Sequence, residues 1–150
     1  MILPVNIKRA DNSFYVDPPT YSTVGSGCFD IRSAETKIIQ PSCQEVFKTG
    51  WCFEIPDGYV MLCFGRSGLG VKHGISPTNC VGVIDSDYRG EVVCPLYNHF
   101  DTPYEVKVGD RIMQGVIVPY PKCIFVEKEV LSETSRLSNL VAPGNNRIYE

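Results

Sequence analysis

Glycine and proline recur so often along this chain that helices have little room: 13 Gly and 11 Pro divide it into apolar stretches of about five to eight residues, which is strand length. The stretches that read as strands are 5–7, 28–32, 37–39, 45–49, 59–64, 91–98, 104–107, 111–118 and 123–127. Their spacing, with Pro, Gly, Asp and Asn turns between them, predicts an all-β domain: a sandwich, jelly roll or barrel. Phe47, Trp51 and Phe53 alternate with polar neighbours, as the core side of a half-buried strand does. A chain of 150 residues suits one domain with a core of its own. The composition changes only near the end, where SETSRLSNLVAPGNNRIYE loses the alternation and gains Ser, Asn, Pro and Gly. The expectation is a β domain over 1–130 and a tail over 131–150, either mobile or reaching a neighbour as an arm.

Charge and cysteine usage exclude several classes. A net charge of −3 gives no broad basic field, so duplex nucleic acid is not an expected partner, although a local cluster suffices for a nucleotide phosphate. The opening MILPVNIKRADNSF lacks the layout of a signal peptide, and no apolar run approaches the ~20 residues of a membrane span. The chain reads as soluble and unexported, in the cytoplasm or another reducing intracellular compartment. Seven cysteines without a CxxC pair, and only two histidines, indicate neither a disulfide framework nor a zinc site. Most of the cysteines are expected to be small buried hydrophobes.

Three clusters carry chemistry. GVIDSDYRGEV, Gly82 to Val92, reads as a hairpin whose turn holds Asp85, Asp87, Tyr88 and Arg89, with Gly90 relieving the backbone. A ring beside a carboxylate packs on a sugar while the acid orients a water; the plainer reading is a solvated turn. GRSGLGVKHGI, Gly65 to Ile75, reads as a loop in which Arg66, Ser67, two glycines and Lys72 form an anion cradle; it is not the Walker pattern. GDRIMQGVIVP, Gly109 to Pro119, runs from a turn into a strand where Gln114 is the odd polar residue and needs a partner.

Together with GSGCFDIRSA at 25–34, these segments resemble, in order and at suitable spacing, the first four motifs of the trimeric dUTPase family, the deoxyuridine triphosphate nucleotidohydrolases. The resemblance runs from about residue 20 to residue 120. It implies a jelly-roll subunit with little helix, a C-terminal arm and a homotrimer whose active sites are shared between subunits. The implied reaction is hydrolysis of dUTP to dUMP and pyrophosphate. Carried over by position, Asp85 touches the sugar 3′-hydroxyl and orients the attacking water, and Tyr88 packs beneath the deoxyribose. Asn79 and the backbone of Val83, Ile84 and Val93 line the uracil pocket. Arg66, Ser67 and Gly68 bind the phosphate chain with Gln114, and Asp30 stands close to the phosphates and metal. Mg²⁺ is held mainly by the phosphates and water, with no direct protein ligand implied.

The chain departs from the family pattern at the fifth motif. LSETSR at 131–136 resembles the approach to it and aligns Arg136 with its arginine, yet LSNLV follows where a glycine-rich segment with phenylalanine belongs. Either Arg136 or Arg147, with Asn145 and Asn146, is left to form a different closure. Two other readings stand beside hydrolysis. A nucleotide-binding regulatory protein with weak hydrolysis draws on the eroded fifth motif. A dCTP deaminase, of the same fold family, uses a glutamate on the strand EVVCPLYN, where this chain has Pro95.

Overall fold

The computed structural model describes residues 2–10 and 15–133. Among the described residues, eleven strands and one short helix form an all-β sandwich, in keeping with the expected jelly roll. One sheet has the order β1 (Asn6–Arg9), β5 (Gln44–Glu54), β9 (Glu91–Asn98), β7 (Ile75–Pro77). The facing sheet runs β2 (Thr20–Tyr21), β3 (Phe29–Arg32), β11 (Arg111–Pro119), β6 (Tyr59–Phe64), β8 (Val81–Ile84). β4 (Lys37–Ile39) and β10 (Tyr104–Val106) pair at one end. β11 lies between β3 and β6, strands far from it in sequence, so the motifs converge only through tertiary pairing.

The alternation in EVVCPLYN sends Val92, Cys94, Leu96 and Asn98 inward. They meet Phe47, Met61, Ile31 and Ile112 in a core where each of these is at most 1% exposed. Asn98 is tolerated there because both of its amide hydrogens are used, on the carbonyls of Ile39 (3.0 Å) and Thr102 (2.8 Å), and its oxygen accepts from the Phe100 amide. Trp51 is also buried, its indole N–H donating to the Asp17 carbonyl at 3.2 Å.

β5 breaks register with β9 between Lys48 and Cys52. Gly50 takes φ 75° there, in the left-handed region where a side chain is strained. The bulge is satisfied from β9: Thr49 Oγ1 donates to the Val92 carbonyl at 2.6 Å, and the Gly50 amide donates to Glu91 Oε1 at 2.8 Å. Glu91, the third acid of the Gly82–Val92 stretch, is thus tied to the sheet.

Several expectations are corrected. The segment 123–127 alternates like a strand but pairs with nothing among the described residues; Ile124 and Phe125 are 90% and 94% exposed. β11 ends at Pro119, and the chain then leaves the sheet edge that its alternation requires. GRSGLGVKHGI is not a loop: Ser67–His73 is helix α1, closed by Gly74 at φ 65°, so the glycines do not prevent about two helical turns. Only Cys63 and Cys94 are buried, and burial pushes both thiols up to about 12, with the charge of Cys63 adding to the effect at Cys94. Cys43, Cys80 and Cys123 are exposed because they stand in turns or beyond the last strand. Among the described residues no helix is long and apolar enough to cross a membrane.

Candidate active site

β8 and β9 do not pair, so the acidic turn is not a closed hairpin. β8 bonds only to β6 in one sheet, and β9 bonds to β5, from Glu91 to Tyr97, in the other. The turn is an arch between sheets, and the divergence opens a slot of about 230 Å³. Asn79, Val83, Ile84, Tyr88, Val93 and Pro95 are among the residues that line it. β8 is the last strand of its sheet, so its outer edge carries backbone N–H and C=O groups that no strand takes among the described residues, the kind of group that pairs with the polar edge of a planar ring.

Tyr88 is fixed at the mouth by its hydroxyl, which donates to the Glu91 carbonyl at 3.1 Å. A Cβ at Gly90 would stand 2.5 Å from that hydroxyl oxygen. Gly90 is therefore needed for the close passage of the ring and not for a left-handed backbone, since its φ is not positive. Asp85 is exposed, lies between Ile84 and Tyr88, and accepts the Tyr88 amide on its backbone carbonyl at 3.2 Å. No described residue engages its carboxylate. Arg89 folds back on the turn, donating to the carbonyls of Ser86 and Tyr88.

A second cavity, about 340 Å³, gathers Asp30, Arg66, Ser67 and Gln114. Arg66 Nε donates to Asp30 Oδ1 at 2.9 Å, and its Nη1 to the Arg111 carbonyl at 3.2 Å. Gln114 has its partner: Nε2 donates to the Gly65 carbonyl at 2.9 Å. Gly68 is exposed in the first turn of α1 and does not line the cavity. Arg136, like the rest of 134–150, lies outside the described residues. No described residue lines both cavities.

Sequence reasoning missed Ser22 and Arg111, both of which bond to Asp30. Arg111 stood in plain view within GDRIMQ, but only the β3–β11 pairing shows that it reaches Asp30. Burial acts to raise the Asp30 pKa. The Ser22 hydrogen bond and the charges of Arg66 and Arg111 outweigh it, and the pKa lies below the ordinary 3.8. The unfolded chain therefore binds a proton at Asp30 before the folded chain does. The stabilisation is whole above the ordinary value and is lost as pH falls through the lower folded one. Urea midpoints measured from pH 5 to pH 2 should fall more steeply for the wild type than for Asp30→Asn.

A narrow slot and, apart from it, a polar cleft that holds Arg66 against Asp30 are features that suit a nucleotide-binding β protein. The dUTPase family model matches residues 15–142. The deoxyuridine 5′-triphosphate nucleotidohydrolase of Finegoldia magna is 45% identical over 120 residues, 79% of this chain and 84% of that protein. That of Zymomonas mobilis is 40% identical over 139 residues, 93% and 95% of the two chains. In fold, the chain matches a mutant dUTPase from phage phi11 of S. aureus with a TM-score of 0.77 at 24% identity, covering 85% of this chain and 98% of that one; that structure concerns coordination of a structural Mg(II) ion. The chain belongs to the dUTPase family.

Proposed function

We propose that this chain hydrolyses dUTP to dUMP and pyrophosphate, with Asp85 orienting the water that attacks the α-phosphate. The observation that carries the reading is an unengaged carboxylate set between two residues, Ile84 and Tyr88, that line a ring-sized slot. Uracil enters between β8 and β9, where main-chain groups of Val83, Ile84 and Val93, with Asn79, meet its polar edge. Fixed donors and acceptors of this kind reject a mismatched edge by about 10⁴-fold. Tyr88 lies under the deoxyribose and crowds out a 2′-hydroxyl. Arg66, Ser67 and Gln114, which line the cleft, hold the phosphates, and Arg66 offsets the charge that develops as pyrophosphate leaves.

Mg²⁺ fits this donor set through the substrate. No group of three or more His, Cys, Asp or Glu among the described residues is arranged as a cage, and both Asp30 oxygens are already bonded. An ion that keeps its waters and binds phosphate oxygens asks for no cage. When bound, it neutralises triphosphate charge.

A homotrimer with shared sites accounts for two cavities that have no lining residue in common, the slot of one subunit serving the phosphate cleft of the next. It also gives a partner to the exposed apolar segment Ile124–Val126. Size-exclusion mass of three chains is expected. The exposed thiols of Cys43, Cys80 and Cys123 suit the cytoplasm or another reducing compartment.

Pyrophosphate released from dUTP, with no ammonia from dCTP, tests the assignment; ammonia from dCTP would establish the deaminase instead. Pro95, in the slot itself, has no side-chain group to activate a water there. The regulatory reading rests on the altered motif in the 131–150 tail. If the tail closes over the phosphates in its own way, deleting 132–150 lowers turnover by about 10²-fold while nucleotide affinity falls less. Unchanged turnover would show the tail to be dispensable.

A further inference from the structure

Resting on the hydrolytic reading, we infer that Ser22 is a positioning residue of the phosphate cleft: its hydroxyl locks the Asp30 carboxylate, which aims Arg66. Ser22 follows β2, whose pairing with β3 sets Thr20 opposite Asp30. Its Oγ donates to Asp30 Oδ2 at 2.6 Å. Arg111 Nη1 reaches the same oxygen at 3.2 Å and Ser22 Oγ at 3.2 Å. Ser22, Asp30 and Arg111 thus close a ring of hydrogen bonds around one carboxylate oxygen, leaving Oδ1 to Arg66 Nε at 2.9 Å.

A carboxylate held at one oxygen by two donors does not turn freely, so its other oxygen keeps one direction. Arg66 is then gripped by Nε from Asp30 and by Nη1 from the Arg111 carbonyl. The guanidinium is a planar fork. Fixing two of its nitrogens fixes the third, and no described residue takes Nη2, which is left to an anion in the cleft that Ser22 also lines. Of the two groups on Asp30 Oδ2, both exposed, Arg111 sits on a long flexible stem and bonds at 3.2 Å, whereas Ser22 bonds at 2.6 Å. The short Ser22 arm is the one that sets the carboxylate plane.

The test is steady-state hydrolysis of dUTP by the full chain, with sites counted by a non-cleavable dUTP analogue. Ser22→Ala should lower kcat per counted site by about tenfold, because a donor to developing charge acts only when correctly aimed. Inhibition by dUMP, which draws on the slot, should not change, and Ser22→Thr should restore turnover. Should the alanine variant not fold, Ser22→Cys keeps the volume with a weak donor and should show the same loss. A purely structural role would reduce the number of sites and leave kcat per site intact; that result overturns the inference while the hydrolytic reading stands. A wild-type chain that releases no pyrophosphate overturns the reading and the inference with it.

Discussion

Asp85→Asn is expected to lower pyrophosphate release from dUTP by about 10³-fold, within the range for loss of a positioned general base, while a non-cleavable analogue still binds. The change is nearly isosteric, and it removes the charge that draws a proton from water. Asp85 is exposed and no described residue bonds its carboxylate, so folding should be unaffected. Thermal melting and analogue titration alongside single-turnover hydrolysis separate these effects. Unaltered hydrolysis would remove Asp85 from the mechanism. Tight binding without turnover in the wild type would favour the regulatory reading.

Arg66→Ala should cost about 10³-fold in kcat/KM, since it takes away a charged donor to the phosphates. It also has a structural price: Asp30, 10% exposed in its side chain, loses its Oδ1 partner. A buried charge-assisted bond left half-made costs about 1–3 kcal/mol. The two effects come apart in the double variant. Adding Asp30→Asn removes the carboxylate oxygen left without its donor and should recover part of the stability, read by urea denaturation, without recovering activity. Arg66→Lys should rescue poorly, because an ammonium does not make the Nε and Nη1 bonds together. An alanine variant with near-normal kcat/KM would leave the phosphate cleft without its assigned cation.

Much of the fold was legible because burial imposes a period of two. TyrValMetLeuCysPhe at 59–64, EVVCPLYN at 91–98 and the run from Arg111 form strands at or within a residue of the expected places. The failures have local causes. Ser67–His73 hid its helix behind two glycines, and its turns are held by the Gly74 cap and packing on β7, which composition does not display. Residues 123–127 have a strand's pattern but no partner in the subunit. The slot residues were legible because one contiguous stretch supplies most of them. The phosphate cleft was legible only in part: Asp30, Arg66 and Gln114 announce themselves by charge or polarity among apolar neighbours, whereas Ser22 is an ordinary serine until β2 meets β3.

The bulge at Gly50 bears on how this chain tolerates change. Glu91 accepts that glycine's amide and Thr49 caps the Val92 carbonyl, so positions 49, 50, 91 and 92 form one unit spanning two strands. A substitution at 91 would be felt first in the kink of the strand opposite, and a deletion that straightened that strand would strand a carboxylate in the wall. Sequence variation at these four places should therefore be correlated, and a designer grafting the Asp85 arch onto another sandwich would have to transplant the kink as well.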